Sequence, residues 1–290
     1  MTGAVLVVGG RTMLLERRGF LLGLTGLYVA GATARAAAVP AGGYDLADPV
    51  QALEAMLRIQ GRLDGRDAPW WYFGRIYALV PGREPVPLFR YEGLEIMRLT
   101  PTAAGEYAAT GATTTFFQDW RTGAVLETFR NPLTGATNTV RPNLIGGTPG
   151  GVAAFYSTRG VRPGRTAPAD WRGEGLELTW TTHGDSVWLA HDRTYPPGLP
   201  QPMGESSCGK ARLAELHDRS RAFVPAAFSS TYFAPYPAWM DMQGQPGFVV
   251  WHADGVKLDS VAELPAGYRA RVEKLFPERL AAPPYVAPAA

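Results

Sequence analysis

Cysteine is almost absent from this chain. A single thiol, Cys208, occurs among 290 residues. One cysteine cannot form an internal disulfide, which excludes a disulfide-stapled scaffold. A nucleophilic thiol would need a histidine base beside it, and the presence of His217 further along the chain does not establish one. We therefore interpret Cys208 as a bystander.

The chain also lacks a large excess of positive or negative charge. The formal net charge is +2 over the whole chain. The first 38 residues contain four arginines and one glutamate, a charge of +3 that leaves about −1 for the remainder. The composition therefore indicates no basic surface able to neutralise a phosphate backbone, and we expect no nucleic-acid partner.

Motifs with a known catalytic mechanism are missing as well. The chain contains no GxxxxGK[ST] phosphate loop, no GxSxG elbow and no HExxH pair. Histidine occurs only at His183, His191, His217 and His252. His191, Asp192 and His252 could supply metal ligands from two strands, but no paired spacing supports a metal site, and we predict none. No cofactor is assigned, since no cofactor-binding motif is present.

One apolar stretch lies in the N-terminal segment. Glu16–Leu22 reads ERRGFLL, a twin-arginine pair directly before the apolar stretch Leu21–Ala32. Ala34-Arg35-Ala36 then fits a small-x-small cleavage pattern. The stretch is too short and too rich in glycine to be a membrane anchor, which needs about 20 apolar residues.

These features predict a twin-arginine export signal over residues 1–38, with Met13 as a candidate start. The mature domain, residues 39–290, is then expected in the periplasm as a single domain without a membrane span. Its partner during export is the twin-arginine translocase.

Glycine and proline are abundant, at 34 and 25 residues, which predicts frequent turns and many short strands. Asp48-Pro49 predicts the start of a helix, and Gly61 predicts its end. Val50 is expected on the buried face of this helix. Aromatic and β-branched residues over Trp70–Val80 and Val86–Leu99 predict strands.

Two turns indicate antiparallel hairpins. Asp119–Gly123 and Asn131–Gly135 each begin with Asp or Asn and end with glycine, the residue types that close a hairpin. Phe248–His252 reads as a late strand, Gly267–Phe276 as a closing helix, and Lys210–Arg221 carries a helix-like pattern. The predicted fold class is mainly β: one antiparallel β barrel of about eight strands, lipocalin-like in outline, with a helix near each end.

Seven short segments resemble one known family. They are Trp70-Trp71-Tyr72, Phe89–Gly93, Phe117–Asp119, Thr122-Gly123, Asn131–Gly135, Pro235–Trp239 and Gly255–Leu258. Together they are similar to the uncharacterised family catalogued as domain of unknown function 1838. The resemblance covers nearly the whole mature chain and implies one domain with the same kind of export signal. It transfers no catalytic residue.

Aromatic residues are concentrated in the stretch Phe228–Leu258, around which the rest of the chain is organised. Large aromatic side chains with polar tips are typical of pockets for apolar or aromatic small molecules. If the first and last strands of a barrel meet, aromatics from both ends of the chain share one wall. We predict that this wall consists of Trp70, Trp71, Tyr232, Tyr236, Trp239 and Trp251. The alternative is an ordinary hydrophobic core.

Three polar residues are candidate acid/base groups in such a cavity. Glu92 lies in a strand-like run, where an inward carboxylate would be desolvated and so made more basic. The alternative puts Glu92 outside, with Phe89, Tyr91 and Glu95 on the inner face. His191 would point inward with Val187 and Leu189, although a satisfied core histidine explains the same pattern. His252 is the third candidate.

The predicted function is the binding of a hydrophobic or aromatic small molecule in the barrel cavity. Two classes remain open at this point. One is an enzyme that uses cofactor-free acid/base chemistry, as an isomerase, hydratase or hydrolase does; the other is a non-catalytic periplasmic carrier. A redox enzyme loaded with its cofactor before export is a third alternative, without a motif to support it.

Overall fold

The computed structural model describes residues 5–8, 11–14, 43–102, 105–164, 178–194 and 204–287. The chain divides into two compact units, residues 1–38 and 39–290. In the first unit, strands β1 (Val5–Val8) and β2 (Arg11–Leu14) form an antiparallel hairpin. The twin-arginine pair, the apolar stretch and the cleavage pattern of the predicted signal lie outside the described residues.

The described part of the second unit is built mainly from strands. Its strands are β3 (Ala68–Leu79), β4 (Val86–Pro101), β5 (Tyr107–Gln118), β6 (Thr128–Arg130), β7 (Thr137–Thr139), β8 (Asn143–Gly146), β9 (Ala154–Ser157), β10 (Gly160–Pro163), β11 (Thr179–His183), β12 (Ser186–Thr194), β13 (Gly204–Arg212), β14 (Ala226–Ala234) and β15 (Phe248–Lys257). Its α-helices are α1 (Pro49–Gln60), α2 (Leu213–His217) and α3 (Ala266–Leu275). Three short 3₁₀ turns cover Ala238–Met240, Val261–Glu263 and Pro277–Leu280.

Eleven strands form one antiparallel sheet. The strand order is β10-β9-β5-β4-β3-β15-β14-β13-β12-β11, and β8 pairs with β5. The first long strand, β3, therefore pairs directly with the last, β15. The predicted mainly antiparallel β fold is confirmed. A closed ring of strands is not present among the described residues, since β10 and β11 end the strand order without pairing with each other.

Helix α1 begins and ends where the sequence predicts. The Asp48 carboxylate accepts hydrogen bonds from the backbone N–H groups of Val50 and Gln51, and Gly61 follows the last turn. Leu53, Met56 and Leu57 are buried in the core. Val50 is 63% exposed, so its predicted place on the buried face is wrong. It stands in the first turn, before the helix reaches the sheet.

The C-terminal end of α1 is fastened to the sheet by a buried lysine. Lys257, on β15, donates from Nζ to the carbonyl oxygens of Arg58 at 2.6 Å, Ile59 at 2.9 Å and Gly61 at 3.1 Å. These carbonyls belong to the group that a helix leaves without intrahelical partners. A cation at this end also complements the helix dipole.

Glycines on the inner face of the sheet make room for aromatic rings. Gly93 lies opposite Tyr72, and Gly255 lies opposite Phe228. A Cβ atom added to Gly93 would approach the Tyr72 ring to 2.3 Å, and one added to Gly255 would approach the Phe228 ring to 2.3 Å. Each ring therefore lies across the strand of its glycine partner, where no other residue type would leave space.

Both faces of the central strands are buried. Helix α3, close to the predicted bounds, packs Tyr268 and Val272 against Leu94, Ile96 and Phe116 on the outer face. On the inner face, α1 and a second aromatic cluster pack against the sheet.

Candidate functional site

A cavity of about 180 Å³ lies on the inner face of the sheet, beside the end of α1. Seven elements contribute to its wall, from β3 and β4 on one side to β12, β13 and β14 on the other. The lining residues are Ile59, Gln60, Trp70, Glu95, Met97, Tyr156, Leu189, His191, Glu205, Ser207, Gly209 and Phe228. The wall thus combines apolar and aromatic surface with a histidine and two carboxylates.

His191 reaches the cavity because successive side chains of β12 point to opposite faces of the sheet. Val187 is 0% exposed and Leu189 is 1% exposed, and His191 follows them on the same face of the strand. The Cα atom of His191 pairs with that of Ser207 on β13. The imidazole therefore enters the cavity with a hydroxyl on the neighbouring strand, as the apolar residues that precede it in the sequence predict.

Glu205 is held by a neighbouring strand. The hydroxyl Oγ of Ser230, on β14, donates to Oε1 of Glu205 at 3.0 Å. Ser207, two residues further along β13, pairs with Ser230 on one side and with His191 on the other. His191, Glu205, Ser207 and Ser230 thus form a polar patch on the inner face of β12, β13 and β14, beside the apolar residues Leu189 and Phe228.

The facing wall carries the second carboxylate and the main aromatic surface. Glu95, on β4, pairs with Trp70 on β3. The indole Nε1 of Trp70 donates to the carbonyl of Gln60 at 2.7 Å, and its ring meets the edge of Phe228 at 5.3 Å between centroids. These contacts fix the orientation of the indole. A molecule in the cavity would lie between Glu95 and the polar surface of β12 and β13.

Two buried tyrosines follow the lining residues along the same inner face. The hydroxyl of Tyr72 lies 2.6 Å from Oγ1 of Thr115. Burial raises the pKa of Tyr72 and of Tyr91, and the neighbouring carboxylates Glu95 and Glu205 raise them further. Both phenols therefore stay protonated through the neutral range and can donate hydrogen bonds.

Glu92 lies on the opposite face of β4 from the cavity. Strand alternation separates it from Glu95, which is three residues away and therefore points inward. Nε2 of Gln118 donates to Glu92 at 2.8 Å, and Nε1 of Trp71 donates to it at 3.4 Å. The sequence alternative, with Glu95 on the inner face, is the arrangement found. Trp71 is likewise placed outside, beside Phe73.

His252 is on the outer surface of the sheet. Its side chain is 51% exposed, and Nε2 lies 3.9 Å from Oδ2 of Asp254. The neighbouring Trp251 points inward, so alternation along β15 directs His252 outward. Of the three predicted acid/base residues, the structure brings only His191 to the cavity.

The remaining aromatic residues pack against each other rather than around the cavity. Trp239 lies 5.4 Å from Phe89 between ring centroids, and Trp251 lies 5.1 Å from Tyr91. Tyr232 and Tyr236 join the same cluster as partly buried members. Of the six aromatic residues predicted to form a ligand wall, only Trp70 lines the cavity.

The sequence analysis missed Glu205 and Ser207 as cavity residues. Glu205, Ser207, Gly209 and Ala211 alternate on one face of β13. The serine and glycine content of this segment conceals the strand, because these residues are not typical of strands. The helix-like pattern predicted over Lys210–Arg221 is found only at α2, because β13 continues through its first three residues. Neither face of β13 is apolar, so the alternation that identifies a half-buried strand gave no signal here.

The described ranges contain no group of three His, Cys, Asp or Glu side chains suited to a metal ion. Nor is any helix within those ranges long and apolar enough to cross a bilayer.

Comparison with known proteins gives one family match. Residues 65–142 match the model of a family described as protein of unknown function (DUF1838), which confirms the resemblance inferred from the sequence for this part of the chain. The resembling segments Pro235–Trp239 and Gly255–Leu258 lie outside the matched residues, so their resemblance stays a prediction. No curated protein shows significant similarity to the chain.

One solved structure, titled "Lipid-protein interactions in lipovitellin", is similar at 9% sequence identity and a TM-score of 0.23, over 78% of this chain and 26% of that chain. This chain thus spans about a quarter of the other's length. A TM-score this low carries no argument about fold or function.

Proposed function

Since the DUF1838 family that residues 65–142 match carries no assigned activity, we propose a function from the cavity itself. The protein binds a small apolar or aromatic molecule beside α1 and acts on it by acid/base chemistry without a bound cofactor. Isomerisation, hydration and hydrolysis are the reaction types that such chemistry serves.

One observation carries this proposal. The cavity brings His191, Glu95 and Glu205 together in a wall whose remaining residues are mostly apolar or aromatic. A volume of about 180 Å³ is close to that of an apolar protein cavity that accommodates benzene. The site is therefore matched to a single ring or a short branched chain, smaller than the ligands of most drug-sized pockets.

The residues on the two walls of the cavity have different roles. His191 is the group that takes up a proton, because imidazole exchanges protons near neutral pH. His191 then returns this proton to another position of the bound molecule, while the Glu95 carboxylate on the facing wall stabilises the imidazolium. Glu205 and Ser207 orient a polar substituent, and Trp70 supports the apolar part.

We propose further that the sheet curves into an incomplete, lipocalin-like barrel around α1. Ala154 on β9 and Val161 on β10 share a core cluster with Val187 and Leu189 of β12 and with Leu57 of α1. The strands concerned stand near opposite ends of the strand order. A shared core between them is most simply produced by a strongly curved sheet.

Export to the periplasm by the twin-arginine route is part of the same proposal. It is supported by the ERRGFLL sequence, the apolar stretch after it and the small-residue cleavage pattern.

The first experiment identifies the ligand and then separates an enzyme from a carrier. Native mass spectrometry of the purified protein should reveal a small co-purifying molecule, which is then supplied to variants. His191→Gln should reduce turnover about a hundredfold or more. The matched control is His252→Gln, which changes an exposed histidine on the outer face and should leave turnover within about twofold.

Glu95→Gln and Glu92→Gln form a second matched pair, since the two glutamates occupy opposite faces of one strand. Only the Glu95 change should affect turnover. If the molecule binds and none of the cavity variants alters its chemical fate, the protein is a carrier and the acid/base proposal is wrong. Equal effects from the inner and outer members of each pair would place the site elsewhere.

A further inference from the structure

A second concavity lies on the outer side of the sheet, between α3 and the segment 125–142. It encloses about 730 Å³, within the range of small-molecule sites. Its wall is predominantly apolar, with Phe116, Val125, Leu126, Val140, Leu275 and Phe276 contributing most of the carbon surface. This outer groove is separate from the cavity beside α1, because Phe116 and α3 pack on the opposite face of the sheet.

The floor of the outer groove is open because α3 presents small residues to it. Gly267 and Ala270 are one helical turn apart on the same face. A Cβ atom added to Gly267 would meet nothing within 4 Å. Further along this face, Leu275 is 50% exposed. These residues lie side by side, so one bound molecule can cover them together.

The charged residues of the outer groove are unequal in sign. Arg271 and Lys274 come from the α3 side, and Glu127 is the one acidic residue among the lining residues. The guanidinium carbon of Arg271 lies 5.2 Å from the centre of the Phe116 ring, which holds this cation against the wall of the groove. An anionic head group would therefore meet cations beside a continuous apolar surface.

We propose that the outer groove binds a single-chain amphiphile with an anionic head, of the fatty-acid type. The alkyl chain lies along the apolar wall, over Gly267 and Ala270, and the carboxylate pairs with Arg271 and Lys274. This site is independent of the acid/base cavity and would stand if that proposal failed.

Titration calorimetry with the full chain tests both halves of this proposal. Octanoate, decanoate and dodecanoate, each below its micelle concentration, should bind with affinity rising about fourfold per methylene, the ratio that corresponds to about 0.8 kcal/mol of burial. Dodecyltrimethylammonium, with the same chain and opposite charge, should bind at least about tenfold more weakly than dodecanoate. Equal affinity for the two head groups would overturn the charge assignment.

Substitutions on α3 locate the site. Ala270→Trp fills the groove floor and should abolish dodecanoate binding, and Arg271→Gln with Lys274→Gln should weaken it about tenfold. Glu273→Gln is the matched control, since this exposed residue of the same helix does not line the groove. Absence of dodecanoate binding by the parent protein would refute the proposal. So would binding that survives Ala270→Trp but is lost in Leu189→Trp, which fills the inner cavity instead.

Discussion

The attachment of α1 to the sheet depends on one lysine, and its removal is the sharpest test of how the fold is held together. Lys257 is only 5% exposed and donates to the carbonyl oxygens of Arg58, Ile59 and Gly61. Lys257→Met keeps the length and the apolar stem of the side chain. It leaves three carbonyl groups at the end of the helix without their donor.

The magnitude follows from opposing contributions. A buried polar group that loses its hydrogen-bond partner costs about 1–3 kcal/mol, so three carbonyl groups cost roughly 6 kcal/mol. Removal of the desolvated ammonium recovers part of this cost, since burial, with Arg62 and Arg58 nearby, lowers the pKa of Lys257 from 10.5 to about 7. We therefore expect Lys257→Met to lower the free energy of unfolding by about 3 kcal/mol.

Denaturant unfolding followed by tryptophan fluorescence measures this difference, and a melting curve should shift downward by roughly 6–12 °C. Lys210→Met is the control, because Lys210 is exposed on β13 with its Nζ atom 5.2 Å from the Trp188 ring. That change should cost less than about 1 kcal/mol. If Lys257→Met proved as stable as the control, the helix would be held by apolar packing alone and the reasoning would be refuted.

Three further changes test other parts of the molecule. Replacing Arg17 and Arg18 together with Lys should retain the precursor in the cytoplasm, and cell fractionation that finds it exported as before would point to the general secretory route. Gly255→Ala should lower the free energy of unfolding by about 1–3 kcal/mol, since the new Cβ atom would lie 2.3 Å from the Phe228 ring. Gly267→Ala, with open space around it, should instead stabilise α3 slightly. Equal melting temperatures for the two variants would contradict the placement of the Phe228 ring. Tyr72→Phe removes the 2.6 Å contact with Thr115 and should cost about 1–2 kcal/mol in denaturant unfolding, with no loss expected only if the hydroxyl pair is not formed.

The sequence predicts the elements of the fold better than the faces of its strands. Asp48-Pro49 and Gly61 define α1 because capping and termination are local chemistry. The two turns after Asp119 and Asn131 are found with glycine in the left-handed region at Gly123 and Gly135. Such features depend on a few neighbouring residues and need no knowledge of the packing.

The inner and outer faces of β4 could not be distinguished in this way. Leu94 and Ile96 lie under α3, while Phe89 and Tyr91 lie inside, so apolar residues occur on both faces of the strand. Alternation identifies a buried face only when the other face is solvated. The choice between Glu92 and its neighbour three residues later therefore required knowing that a helix from the end of the chain covers one side.

His191 was identifiable as a cavity residue because it shares a strand face with Val187 and Leu189, which are fully buried. The aromatic stretch after Phe228 was misleading. Large aromatic residues favour both ligand walls and cores. Here Trp239 meets Phe117 edge-to-face and Trp251 meets it at a tilt, at 5.4 and 5.7 Å between ring centroids, so both indoles are used in packing. The distinction depends on which rings find partners across the sheet, and sequence spacing does not encode that.

The pairing of β3 with β15 also has a kinetic meaning. Trp70 pairs with Lys257, and Phe248 pairs with Leu79, so the first long strand of the second unit and its last strand lie side by side in the middle of the sheet. Contacts between residues so distant in sequence make folding slow, because a large loop must close before they form. Until the last strand leaves the ribosome, β3 presents an unpaired edge on which other chains can add. The chain is therefore prone to aggregate until β15 has been synthesised. A chain truncated before β15 should accumulate as insoluble material.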